Sequence, residues 1–241
     1  SLLAGNVAVG FYEVAYSLTM RLNIVARTIT YALYPFLSSE FVRDKRAVRA
    51  CTAQSIRYLI VPAFLIATIY CVFGREFILL LYGEKFATAA SATLSVLALA
   101  IPLRFVETSL AVALDASNRA GQRATAVAIA AVTNVLLNFG LVPIYQMKGA
   151  AYATLFTELI ICGLFLWYLR NELHDIIQWR TFVAPSLGAL IIFGVPPLFE
   201  AINVWLLVSL SIALYIVTVV ALDRDSIETL LLMGAKKPPV Q

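Results

Sequence analysis

The sequence predicts an all-α fold, a polytopic bundle of transmembrane helices, and three observations predict it. Hydrophobic residues fill 61% of the 241 positions and charged residues 13%, with a mean hydropathy of +0.88, too apolar for a surface that faces water. Apolar windows near the ~20 residues that cross ~30 Å of hydrocarbon recur along nearly the whole chain, separated by short polar breaks. Lys and Arg alternate in density from one break to the next, as they do between loops on opposite sides of a membrane.

The expected spans are seven, taken in order. The first, 7–36, is apolar overall but carries Glu13, Arg21 and Arg27. At about 100° per residue, with Glu13 as origin, Tyr16, Ser17, Arg21, Asn23, Arg27, Thr28 and Tyr31 fall within about 80° either side, while Leu18, Leu22, Val25, Ile29 and Leu33 fall opposite. Met20 and Ile24 also lie in the polar arc. A spanning helix with one polar face lines an aqueous cavity or packs against protein. Two readings stay open: a substrate-facing surface, or an interhelical ion-pair network such as Arg21 with Glu107.

A basic stretch, RDKRAVRACTAQSIR at 43–57, follows as a helical connector suited to anionic headgroups or simply to fixing topology. The second span is 55–73. The segment 74–86, GREFILLLYGEKF, is an apolar helical turn bracketed by glycines on the outer side. The third span, 87–114, holds Pro102, where a kink is expected, then Arg104 and Glu107 three residues apart, which can form a local salt bridge or share a cavity with the first span. The fourth and fifth are 124–145 and 149–169, the fifth carrying Glu158, read as a more isolated packing residue. The sixth and seventh are 181–198 and 201–222. The lobe thus covers 1–222, and 223–241 is a cytoplasmic tail whose AKKPPVQ end reads as disordered.

Counting Lys and Arg in alternate breaks gives orientation. One side holds Arg43, Lys45, Arg46, Arg49, Arg57, Arg119, Arg123, Arg170, Arg180, Arg224, Lys236 and Lys237; the other holds Arg75, Lys85 and Lys148. Twelve against three makes the first side cytoplasmic, so the chain starts outside and ends in the cytoplasm. The start at Ser1, with no basic segment and cleavage site, leads us to expect preceding spans and no signal peptide.

Several classes lack support. The net charge of +4 comes from dispersed residues without interleaved aromatics, so no nucleic acid is expected. Cys51, Cys71 and Cys162 show no CxxC spacing, and His174 is the single histidine, in a polar loop; neither a metal site nor a His-based enzyme is indicated. Six ionisable residues inside spans would cost on the order of 15 to 20 kcal/mol if charged and lipid-facing, so they must face one another or a wet cavity.

Three stretches carry a family resemblance. VGFYEVAYSL at 9–18 with YPFLS at 34–38, LLLYGEKFATAASATLSVLALAIPL at 79–103, and TNVLLNFGLVPIYQMKGAAYATLFTEL at 133–159 resemble, in order and spacing, the lipid-linked oligosaccharide flippases of the Wzx type, within the multidrug/oligosaccharidyl-lipid/polysaccharide exporter superfamily. The resemblance runs to about residue 170. It implies the carboxyl-terminal lobe of a two-lobe transporter of the bacterial inner membrane, which flips an undecaprenyl-diphosphate-linked saccharide outward by ion-coupled alternating access, for O-antigen, lipopolysaccharide or exopolysaccharide. It also implies contact with membrane lipids and with polysaccharide polymerase or export machinery. Guanidinium suits phosphate because its planar fork donates two parallel charge-assisted bonds. Burial cost and the face each residue takes, rather than the resemblance, give the cavity candidates Arg21, Arg27, Arg104, Asn23, Tyr16 and Tyr31, and the candidates for coupling to H⁺ or Na⁺ are Glu13 and Glu107, with no other cofactor. A drug or cation exporter of the same superfamily would favour carboxylates over arginines. A membrane glycosyltransferase or polymerase would carry a larger outer loop, and a purely structural subunit would leave the polar stripe without a role.

Overall fold

The computed structural model describes residues 6–171, 180–194 and 203–222. His174, Arg224 and the tail, all singled out above, lie outside the described residues, as does the side chain of Arg180. Among the described residues the chain is helical throughout: α1 (Asn6–Arg21), α2 (Asn23–Ala32), α3 (Tyr34–Arg43), α4 (Lys45–Tyr82), α5 (Glu84–Ala98), α6 (Ala100–Ala116), α7 (Ala120–Leu169), α8 (Arg180–Gly194) and α9 (Val204–Leu222).

The expected first span is three helices rather than one. The break at Leu33 has a direct cause: Pro35 lacks an N–H, and Leu33 closes the preceding turn with a short-range bond to the Thr30 carbonyl at 3.1 Å. The break at Leu22 carries neither proline nor glycine; Val25 there bonds the Leu22 carbonyl at 3.1 Å, three residues back.

The basic connector is helical, and it is continuous with the second span. Asp44 is extended (φ −144°, ψ 97°), and its Oδ1 accepts from the Arg46 N–H at 2.8 Å, capping α4. The helix then runs to Tyr82 with an irregular residue, Phe73, where the expected span ends. Gly83, at φ 84°, supplies the left-handed turn into α5. Arg75 and Glu84 bridge that turn at 2.6 Å, both exposed, a pairing worth under about 1 kcal/mol.

The expected third span is α5 and α6, bent by 42° at Leu99. Pro102 explains it. A proline ring clashes with the carbonyl four residues back and leaves it unbonded, so the break falls upstream of the proline itself. The fourth and fifth spans are the two arms of α7, which folds back at Gln146 (φ 50°, ψ −126°). Asn134 reaches Thr157 at 3.0 Å, and the Arg119 guanidinium donates to the Tyr168 carbonyl at 2.8 Å, so the arms lie antiparallel. A Cβ on Gly149 would stand 2.3 Å from the Leu141 carbonyl oxygen, which is why a glycine sits beside the turn.

By length and hydropathy α4, α7 and α9 suffice to cross a membrane, and α5 with α6 would do so together; α8, 15 residues, is shorter than a full span. The core centres on α4 and α6, where Ile56, Ile60, Leu110 and Leu114 are fully buried against Phe165 of α7. The Tyr215 hydroxyl fastens α9 to the Val61 carbonyl of α4 at 2.7 Å.

Candidate functional site

The α1–α2 stretch distributes its faces by chemistry. Small residues, Ala15, Thr19, Ala26 and Thr30, are buried against the bundle, as expected where spanning helices approach closely. Ile24, Val25 and Ile29 are exposed apolar residues suited to lipid. The polar arc, about 160° wide, cannot face a single neighbour, and its two edges separate. Tyr16 and Asn23, on one edge, are half-buried towards α6, where Asn23 Oδ1 accepts from the Thr108 hydroxyl at 3.2 Å. Glu13, Arg21, Arg27 and Tyr31 point outward and are exposed, Arg27 lying 5.8 Å from the Tyr31 ring centre.

Arg104 behaves differently from the other two arginines. It is 2% exposed, and its Nε donates to Glu158 Oε1 at 2.7 Å, joining α6 to the second arm of α7. The local Arg104–Glu107 pair is not the one formed, and Glu158 is not isolated. Three residues after Arg104, Glu107 is half-buried, in the field of Glu158, Arg104, Arg123 and Arg27. Neither Arg21 nor Glu107 makes an ion pair among the described residues, so the Arg21–Glu107 network is absent there. Arg21 and Arg27 are exposed whereas Arg104 is buried, and neither of them lines the cavity beside Arg104.

The Arg104–Glu158 pair borders a cavity of about 590 Å³ between α1, α6 and both arms of α7. Tyr12 and Tyr16 form one wall, stacked with ring centres 5.6 Å apart, and the Tyr16 ring lies 5.6 Å from the Arg104 guanidinium carbon. Asn134, Asn138, Thr154 and Thr157 line the other side. Tyr12 bonds Thr154 at 3.1 Å, and Asn138 donates to Asn134. Sequence reasoning missed Tyr12, Asn134, Asn138, Thr154 and Thr157, though for the last four a signal existed: Asn134 and Asn138 stand four apart, and Thr154 and Thr157 share one face of the next helix with Glu158 by i, i+3, i+4 spacing.

A second cavity, about 560 Å³, is almost wholly apolar, lined by Phe64, Leu103, Val106, Leu166, Phe182 and Phe193 among others, between α4, α6, α7 and α8. Chemically the two cavities complement each other, one able to hydrogen-bond a polar group and one able to hold a hydrocarbon. Among the described residues no cluster of His, Cys, Asp and Glu has metal-binding form.

The family model described as lipid II flippase MurJ matches residues 2–218. A curated relative, the probable low-salt glycan biosynthesis flippase Agl15 of Haloferax volcanii, is 27% identical over 191 residues, 78% of this chain and 40% of the relative. A solved structure, lipid II flippase MurJ in an inward closed conformation, superposes with a TM-score of 0.75 at 15% identity, over 91% of this chain and 48% of the other. The chain therefore spans less than half the length of both.

Proposed function

We propose, for a chain that belongs to the MurJ family of lipid II flippases, that it forms one lobe of a transporter moving a lipid-linked saccharide across the membrane. The observation that carries this reading is the polar face of α1–α2, where Arg21 and Arg27 are exposed on a helix whose other faces suit lipid and helix packing. An arginine within a membrane-spanning segment is costly and persists where it meets a partner or lines a substrate path. Guanidinium forks offered to a cavity between this lobe and the remainder of the transporter fit the diphosphate of a polyprenyl carrier. The apolar cavity beside α8 fits part of the carrier's hydrocarbon.

The fuller form of the reading is the flipping of an undecaprenyl-diphosphate-linked oligosaccharide, of the kind used for surface polysaccharide, coupled to H⁺ or Na⁺ through Glu13 or Glu107. Orientation with the basic breaks cytoplasmic in an inner membrane accords with the joining of Arg119 to the end of α7 near Arg170. The matched family and the curated relative are both named as flippases, which supports a transporter rather than an enzyme.

Replacing Arg21 or Arg27 by Ala tests the reading. Surface glycan should fall at least tenfold while the amount of protein in the membrane stays normal. Arg→Lys variants should recover only part of the activity, since charge is kept and the fork is lost. Loss of the protein itself would mean that the arginines serve folding instead.

A further inference from the structure

The cavity beside Arg104 has an unusual balance of hydrogen-bonding groups. Only Nε of the guanidinium is used by Glu158, through Oε1. Both Nη1 and Nη2 of Arg104 and Oε2 of Glu158 are buried without a protein partner. Two donors of the arginine and one acceptor of the carboxylate beside it are thus left unpaired in the wall of the cavity. The remaining polar wall, from Tyr12 through Thr154 and Asn134 to Asn138, is already hydrogen-bonded. Buried groups of this strength are seldom left unpaired, because their desolvation is otherwise uncompensated.

The charge balance selects among ligands. Arg104 and Glu158 sum to zero, so a phosphate approaching the fork would also meet the Glu158 oxygen, a like charge in a medium of low dielectric. A neutral group that both accepts and donates meets no such opposition. Sugar hydroxyls do both, and the C–H face of a pyranose can lie on the electron-rich face of Tyr16. A volume of about 590 Å³ lies within the range of small-molecule sites.

We propose that this cavity is a saccharide subsite, in which hydroxyls of a neutral glycosyl unit accept from the free fork of Arg104 and donate to Oε2 of Glu158 against the Tyr16 ring. It rests on the reading of the chain as a lobe of a lipid-linked saccharide transporter. It assigns the glycan to α1, α6 and α7, while the diphosphate belongs to the exposed Arg21 and Arg27.

The test is equilibrium binding to the protein in nanodiscs of two probes, a polyprenyl diphosphate and the same carrier bearing one glucose. Wild type should hold the glucosylated carrier about tenfold tighter, the factor that one net charge-assisted hydrogen bond supplies. The Arg104→Gln/Glu158→Gln double variant removes both charges together and leaves neither buried alone; the affinity ratio should fall to about one, the loss falling on the glucosylated probe. Tyr16→Leu, which keeps the ion pair, should cut the preference severalfold and serves if the double variant does not fold. Equal binding of both probes by wild type would mean that the cavity takes water only and would overturn the subsite, as would a preference that survives in both variants. A drop in affinity for the bare carrier in the double variant would make Arg104 a phosphate ligand instead. Failure of wild type to bind either probe would remove the transporter reading itself.

Discussion

Among the described residues Arg104 is the cation buried inside the bundle, paired with Glu158. A buried ion pair contributes little net stability compared with a well-packed apolar replacement, yet removing one partner strands the other. Arg104→Ala and Glu158→Ala should each lower stability by about 3 to 5 kcal/mol, and the neutral double variant by clearly less. Detergent-solubilised protein unfolded by heat, with helix content followed, measures this; single variants no worse than the double would show that the pair is not an energetic unit. The sequence exposes half of this arrangement. A guanidinium in an apolar run is conspicuous at position 104, and its periodicity marks the face it occupies. Its partner is not conspicuous, because Glu158 is 54 residues away and Glu107, three residues on, offers the nearer solution. Periodicity fixes direction around one helix axis and says nothing of which helix lies opposite.

At the scale of the helix, proline and glycine punctuation was the most legible signal. The turn between the arms of α7 falls at Gln146, between the expected spans ending at 145 and starting at 149, because Gly149 is the residue that tolerates the approach of the Leu141 carbonyl. The kink expected at Pro102 appears at Leu99, displaced by the reach of the proline ring into the preceding turn. The breaks at Leu22 and Asp44 were less legible. Leu22 has no local breaker, and a one-residue connection capped by Asp44 is brief enough to pass for part of a basic loop. The bend at Leu99 also sets how α6 carries Arg104, five residues on. Pro102→Ala restores the missing N–H, so it should leave the thermal midpoint unchanged or higher and lower the translocation rate severalfold. A variant that transports at the wild-type rate with a straightened α5–α6 would separate the bend from function.

At the scale of the whole molecule, an all-helical membrane bundle was readable from composition, the recurring apolar windows and the alternation of basic breaks, and the MurJ-type fold bears it out. The division of labour within it was not. A helical wheel puts Tyr16, Arg21 and Arg27 on one polar arc, whereas the folded bundle turns Tyr16 inward and the two arginines outward, a separation that depends on neighbours no single-helix projection contains. The outward arginines fit the proposed role as one lobe of a transporter; the chain itself spans 40% of the Haloferax volcanii flippase and 48% of the superposed one. Coupling belongs to this scale too: Glu107→Gln should abolish the dependence of flux on H⁺ or Na⁺ if Glu107 carries the ion, and unchanged dependence removes it from that role. The most direct measurement is reconstitution of the full-length transporter into liposomes holding a short-chain polyprenyl-diphosphate-linked saccharide in one leaflet, with its arrival in the other leaflet read by a membrane-impermeant glycosidase. The account predicts glycan arriving well above protein-free vesicles, and arriving at least tenfold more slowly with Arg21→Ala or Arg27→Ala. Transfer no faster than in protein-free vesicles, with the same protein instead moving organic cations, would contradict it.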